Sequence, residues 1–191
     1  MGHSQSDKAE SHEHIVRVAA ARFREAGVDG IGVAELMKEA GLTHGGFYRH
    51  FASREELVAE AIERALKDGG QRAVAVVAQH PQSPLATLVD AYLSTVHRDQ
   101  RASSCAVTTL AGDVARSNDR ARSAYTRQVE TYLELLTRLI AGDKQKARRA
   151  RAIAALATLV GAVSMARAVN DEKLSREILK SAADELKAHL G

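Results

Sequence analysis

The chain has 191 residues, 45% hydrophobic and 27% charged, a soluble globular balance with room for one or two packed domains. Its first fifteen residues are polar, no run approaches about 18 uninterrupted apolar residues, and Cys105 is the single cysteine, so a secretory signal, a membrane span, an internal disulfide and a multi-cysteine metal site are all unexpected; a cytoplasmic location is expected. The net charge of +3 is uneven: residues 1–70 hold 9 basic and 12 acidic residues, residues 71–191 hold 18 and 12, so any nucleic acid must be held by local contacts rather than a domain-wide field.

Residues 1–11 are polar and aperiodic and read as a disordered tail, with His3 and His12 too scattered to form a metal site. From His12 to Ala26, Ile15, Val18, Ala19 and Phe23 share one helical face, with Arg17 and Arg24 outside it and Gly27 placed to end the helix. Val33 to Ala40 predicts a second, short helix closed by Gly41. Thr43 can cap a third running to Phe51, and the tight turn between them makes a helix-turn-helix.

The stretch Leu42 to Arg54, L-T-H-G-G-F-Y-R-H-F-A-S-R, holds no acid and suits a helix that enters DNA. Gly45 and Gly46 would each cost a helix about 1 kcal/mol relative to alanine, so clearance for a groove explains them better than tolerance. Phe23, Phe47 and Phe51 supply a small core, at roughly 1.5–3 kcal/mol each when fully buried. Ser53 to Glu56 is a capping box opening a longer helix that ends at Gly69-Gly70.

The remainder reads as helices only. Ser83-Pro84 starts one running to about Arg98, with Leu85, Leu88, Val89, Tyr92 and Val96 on its apolar face; Cys105–Ala115 is short; Asn118–Ala141, Lys144–Val169 and Leu174–His189 follow. The fold class is all-α, with about nine helices.

The pattern Ile15-x-x-Val18-Ala19-x-x-x-Phe23-x-x-x-Gly27, followed by V-A-E-L-M-K-E-A-G-L-T-H-G-G-F-Y-R-H-F-A-S-R-E-E-L, resembles the DNA-binding domain of the TetR family of bacterial transcriptional regulators. The likeness covers about Ile15 to Leu66. It implies a nine-helix homodimer with an N-terminal three-helix helix-turn-helix domain, here 12–52, that binds a palindromic double-stranded DNA operator. A C-terminal helical domain, 53–191, would bind a small-molecule effector and dimerise, with 53–69 linking the two. No cofactor is implied. Tyr48 and His50 resemble the family's phosphate-contacting pair, with Thr43 and Arg54 adding donors and His44 at the variable base-choosing position; Arg49 is either outward and near DNA or an exposed arginine beside a carboxylate. The sequence departs from the family at Gly32, where a capping Ser or Thr is common, an exchange worth about 0.2–0.5 kcal/mol, and at Arg54, where lysine is usual.

In the C-terminal half, Tyr125, Val129, Tyr132 and Leu136 share a face that is either plain core or, with Tyr92, Val96 and Cys105, the wall of an effector pocket. Cys105 opens a helix, where the helix dipole favours a thiolate; it is either a small buried hydrophobe or an electrophile sensor. Small residues among Ile153, Leu156, Val160 and Val163, with Ile178 and Ala182 on the last helix, form either a two-fold dimer seam or packing within one chain. The basic run 144–151 reads as a solvated face or else as a second DNA contact or a site for an acidic ligand. The chain has no HExxH, glycine-rich phosphate loop or nucleophile motif, so an enzyme is not expected. The alternative to a DNA-binding repressor is a helical interaction module without DNA.

Overall fold

The computed structural model describes residues 5–142 and 144–190. Among them lie ten α-helices, three 3-10 helices and no strand. Helix α1 spans Gln5–Ala26, α2 Val33–Glu39, α3 Arg54–Gln79, α4 Pro84–Tyr92 and α5 Thr95–Asp99; α6 is Ala106–Thr109, α7 Ala111–Ala115, α8 Asp119–Leu139, α9 Gln145–Ala168 and α10 Glu172–Leu190. The 3-10 helices are Val28–Gly30, His44–Arg49 and Arg101–Ser103.

Residues 5–11, expected in a disordered tail, form the first turns of α1. His12 has a reason to be ordered: its ring stacks on Phe51 at 4.5 Å and its Nε2 lies 2.7 Å from Glu60 Oε2. His3 lies outside the described residues. Arg24, expected outside the helix's apolar face, is buried, because that side of α1 packs against the 3-10 helix Arg101–Ser103, where its guanidinium donates to the Ala102 carbonyl.

Gly27 and Gly41 end their helices with positive φ, as the sequence predicts. At Gly41 the closure is a Schellman pair, Leu42 N–H donating to Met37 O at 2.8 Å and Gly41 N–H to Lys38 O at 3.0 Å. The predicted capping box forms in its first half, Glu56 N–H donating to the N-cap Ser53 Oγ at 3.2 Å, while Glu56 Oε2 accepts from Ala52 N–H, one residue before the cap, at 2.6 Å.

Gly69-Gly70 does not end α3, which continues to Gln79. These glycines serve packing: α8 crosses so closely that a Cβ would stand 3.0 Å from Tyr132 Oη at Gly69 and 2.7 Å from Gln128 Nε2 at Gly70. The predicted helix to Arg98 breaks at Leu93, where Ser94 caps α5 by accepting from His97 N–H at 3.0 Å. Cys105–Ala115 likewise divides into α6 and α7, and these breaks carry the helix count past nine.

A continuous apolar core runs from the phenylalanine cluster of the N-terminal helices, through α3, to the α8–α10 layer. Helix α9 is long and apolar enough to cross a membrane by length and composition, though no such run is apparent from uninterrupted apolar residues; here it packs against α8 and α10, with Lys146, Arg148, Arg149 and Arg151 in its first two turns. Of that basic run, Arg149 pairs with Glu130 at 2.8 Å and Arg151 donates to the Ala141 carbonyl.

Candidate nucleic-acid interface and ligand cavity

The segment expected to enter DNA is a 3-10 helix, His44–Arg49, rather than an α-helix. Its position is fixed from below: Phe47 and Phe51 are buried and stack at 5.4 Å, while Tyr48 meets the edge of Phe47 and remains 73% exposed. Thr43, His44, Gly45, Tyr48 and Arg49 form a contiguous exposed strip. Thr43 sits at the cap position but makes no side-chain cap bond, because the chain enters a tighter helix there. A Cβ at Gly45 would meet no atom within 4 Å, so nothing inside the protein demands glycine. Arg49 forms no ion pair among the described residues.

Two expected contact residues are partly committed elsewhere. Arg54 donates from Nη2 to the Val28 carbonyl at 2.6 Å and faces Asp29 at 3.6 Å, tying the start of α3 to the turn after α1. His50 is half-buried beside His12 and Phe51; its Nδ1 is buried without a partner, and burial, followed by the charges of His12, Lys8 and Arg49, lowers its pKa. The acids nearby are partly neutralised by Arg22, which pairs with Glu25 and lies 3.2 Å from Glu39.

Behind this unit, α3, α4, α5, α8 and α9 enclose a cavity of about 360 Å³. Tyr92, Val96, Cys105, Tyr132 and Leu136 line it, and Val96, displaced by the break after α4, is 60% exposed. Tyr125 and Val129 are not in the wall. The Tyr125 hydroxyl instead donates to the Val107 carbonyl at 2.9 Å, which turns the ring toward α6.

Sequence reasoning missed Arg72, His97 and Gln100 in the wall. His97 holds the wall together. Cys105 N–H donates to its Nε2 at 3.0 Å, which places the ring proton on Nδ1, and that nitrogen donates to the Tyr92 carbonyl at 2.6 Å. Burial lowers the imidazole pKa to about 4, outweighing the opposing effect of the Tyr92 bond, so the ring is neutral near pH 7. The Tyr92 hydroxyl bonds Thr108 Oγ1 at 2.6 Å, and the Tyr132 hydroxyl lies 3.6 Å from Cys105 Sγ; burial pushes both phenols up. Cys105 itself is buried, and the helix after it is one four-residue turn.

The segment 97–105 touches more than the cavity. On one side Arg24 of α1 donates to the Ala102 carbonyl at 2.6 Å and to the Ala65 carbonyl at 3.3 Å. On the other, Arg167 of α9 donates to the carbonyls of His97 and Arg98 at 2.8 and 2.9 Å and to Ser104 Oγ at 2.6 Å. Arg98 reaches α10 through Glu172 at 2.9 Å and Ser175 at 2.7 Å. The N-terminal helix, the cavity wall and the last two helices thus share one hydrogen-bonded strap.

The residues expected at a dimer seam divide. Val163 is fully buried and Leu156 faces the cavity, so both belong to the chain's own core. Ile153 is exposed, and Val160, Ile178 and Ala182 are half-buried; with exposed Leu174 on the last helix and exposed Met165, which carried no signal in the sequence, they leave an apolar face along α9 and α10.

Residues 15–61 match the family model described as bacterial regulatory proteins, tetR family. A curated relative, the HTH-type transcriptional regulator AcrR of Shigella flexneri, is 29% identical over 102 residues, 51% of this chain and 47% of that protein, so the match spans about half of its length. Solved structures share the fold along nearly the whole chain. A TetR transcriptional regulator from Chloroflexus aurantiacus superposes with a TM-score of 0.79 at 22% identity, over 97% of this chain and 98% of that one. The reduced form of E. coli NemR gives 0.76 at 21% identity, over 95% and 98%.

Proposed function

We propose that the chain, whose residues 15–61 match the tetR-family model, is a TetR-type DNA-binding transcriptional repressor whose hold on a palindromic operator is loosened by a small molecule in the cavity. The observation that carries this reading is the exposed, acid-free strip Thr43–Arg49, seated on a buried phenylalanine pair. Thr43, Tyr48 and Arg49 present donors to phosphates, His44 is aimed at base edges, and Gly45 lets the backbone approach a groove. His50 reaches the same phosphates from the edge of the core, and Arg54 stiffens the unit more than it contacts DNA. Residues 12–52, with the start of α3, form the reading unit; the rest forms the effector and dimerisation unit.

Two half-sites require two readers, and the second copy of this chain covers the apolar face of α9 and α10. Effector binding acts on DNA through the strap, since the segment 97–105 forms part of the cavity wall and also anchors α1 through Arg24. Such a protein performs no catalysis.

The test is selection of genomic fragments retained by the protein, followed by titration of the selected sequence. One palindromic sequence should be enriched and bind two protomers. Tyr48→Ala should weaken binding about tenfold across operator variants, the loss expected for one phosphate contact and its packing, without lowering the unfolding temperature. Selection of no common sequence, or unchanged affinity in Tyr48→Ala, contradicts the reading.

A further inference from the structure

We propose that the cavity selects apolar anions, with Arg72 as the counter-charge at its rim. The proposal rests on reading the cavity as the effector site. The body of the wall is hydrocarbon from residues such as Val76, Leu88, Leu136 and Leu159, and no carboxylate lines it. Arg72, exposed on α3, is the charged side chain that does, and it makes no hydrogen bond or ion pair among the described residues. The acid one turn earlier, Asp68, is already held by Arg64 at 2.7 Å and faces Arg24 at 3.9 Å.

Two further guanidiniums stand behind the wall with mostly neutral partners. Arg24 is bonded to the Ala102 and Ala65 carbonyls, and Arg167 to two carbonyls and the Ser104 hydroxyl. Both have lowered pKa values, first by burial, then by a neighbouring cation: Arg72 for Arg24 and Arg101 for Arg167. Neutral acceptors spread but do not cancel these charges, so the polar end of a largely apolar cavity is positive, and low local polarity strengthens the field. An anion with a hydrocarbon body gains both the burial and the field; a neutral analogue gains the burial alone. A cationic analogue is repelled by Arg72 and by the two guanidiniums behind the wall.

Two fluorescent probes with one skeleton test this: 1-anilinonaphthalene-8-sulfonate and N-phenyl-1-naphthylamine differ by the sulfonate. Titrated into the full-length protein, the sulfonate should bind at least about tenfold more tightly, with the advantage shrinking as salt rises. Arg72→Met should reduce that advantage to about threefold or less and leave the neutral probe's affinity unchanged. Ala73→Trp, which fills the cavity from α3, should remove binding of both. Equal or tighter binding of the neutral probe, an intact ratio in Arg72→Met, or sulfonate binding that survives Ala73→Trp would overturn the proposal. Operator affinity, followed in the same titration, separates the two readings: anion preference without any change in DNA binding keeps the selectivity and removes the effector role. Operator release by the neutral probe with no anion preference does the reverse.

Discussion

Acidification should destabilise this protein through His97. In the unfolded chain the imidazole titrates near its usual 6.5; in the fold, burial holds it at about 4. Between those values the unfolded chain binds a proton that the folded chain refuses, so stability rises with pH across this window. The contribution is complete above about pH 6.5 and gone below about pH 4. At 1.36 kcal/mol per pH unit the interval is worth at most about 3 kcal/mol. The structural cause is specific: a proton on Nε2 would face the Cys105 N–H that this nitrogen now accepts, so the cavity wall must open to accommodate it. Glutamine can reproduce both bonds, its amide donating to the Tyr92 carbonyl and its oxygen accepting from Cys105, without titrating. Denaturant unfolding of the wild type and His97→Gln at pH 7 and pH 5 isolates the effect, because carboxylates such as Glu172 and Asp99, held down mainly by their hydrogen bonds to Arg98, contribute equally to both proteins. The wild type should lose more stability than the variant, by one to two kcal/mol at pH 5 on the order of the linkage given above. Parallel losses would refute the role given to His97.

Other outcomes follow from the same geometry. Arg24→Met removes a short charge-assisted bond to Ala102 but also a cation whose burial is unfavourable, so stability should fall by only about 1–2 kcal/mol in thermal unfolding while the effector's influence on operator affinity largely disappears; an undiminished influence would show that the strap does not couple the sites. Ile153→Glu with Met165→Glu should convert a dimer to folded monomers in sedimentation, since both side chains are exposed in one chain, and a persistent dimer would place the interface elsewhere. Cys105→Ser should retain release by a non-electrophilic effector; if response to electrophiles also survives, the thiol is a packing residue.

The parts of the fold legible in the sequence were those set by local chemistry. Gly27 and Gly41 as stops, Ser53–Glu56 as a capping box and the buried phenylalanines all follow from a few neighbouring residues. The errors arose where distant segments decide. Gly69-Gly70 resembles a helix end, yet α3 continues through it under the side chains of Gln128 and Tyr132 on α8, and Arg24 looks solvent-facing until the Ala102 carbonyl and the Ala65 carbonyl of α3 provide its acceptors. On α9 both faces are apolar, so periodicity could not distinguish Val163, which is core, from Ile153 and Met165, which are exposed. Of the tyrosine stripe, Tyr132 and Leu136 lie in the cavity wall and Tyr125 and Val129 do not, because one helical face spans both the cavity and the contact with α6. His97 carried no local signal, because its partners Tyr92 and Cys105 meet it only after the chain breaks at Leu93 and again before α6.

The central claim, that a few placed contacts on Thr43–Arg49 hold DNA, is tested most directly by titrating the selected operator with wild-type protein at increasing salt. Log affinity should fall linearly against log salt, with a slope of about two or more for a dimer, since each phosphate neutralised by a cationic side chain such as Arg49 releases close to one counterion, and Tyr48→Ala, which removes no charge, should keep that slope while lowering affinity throughout. Salt-independent binding, or binding no tighter than to unrelated DNA, would contradict it.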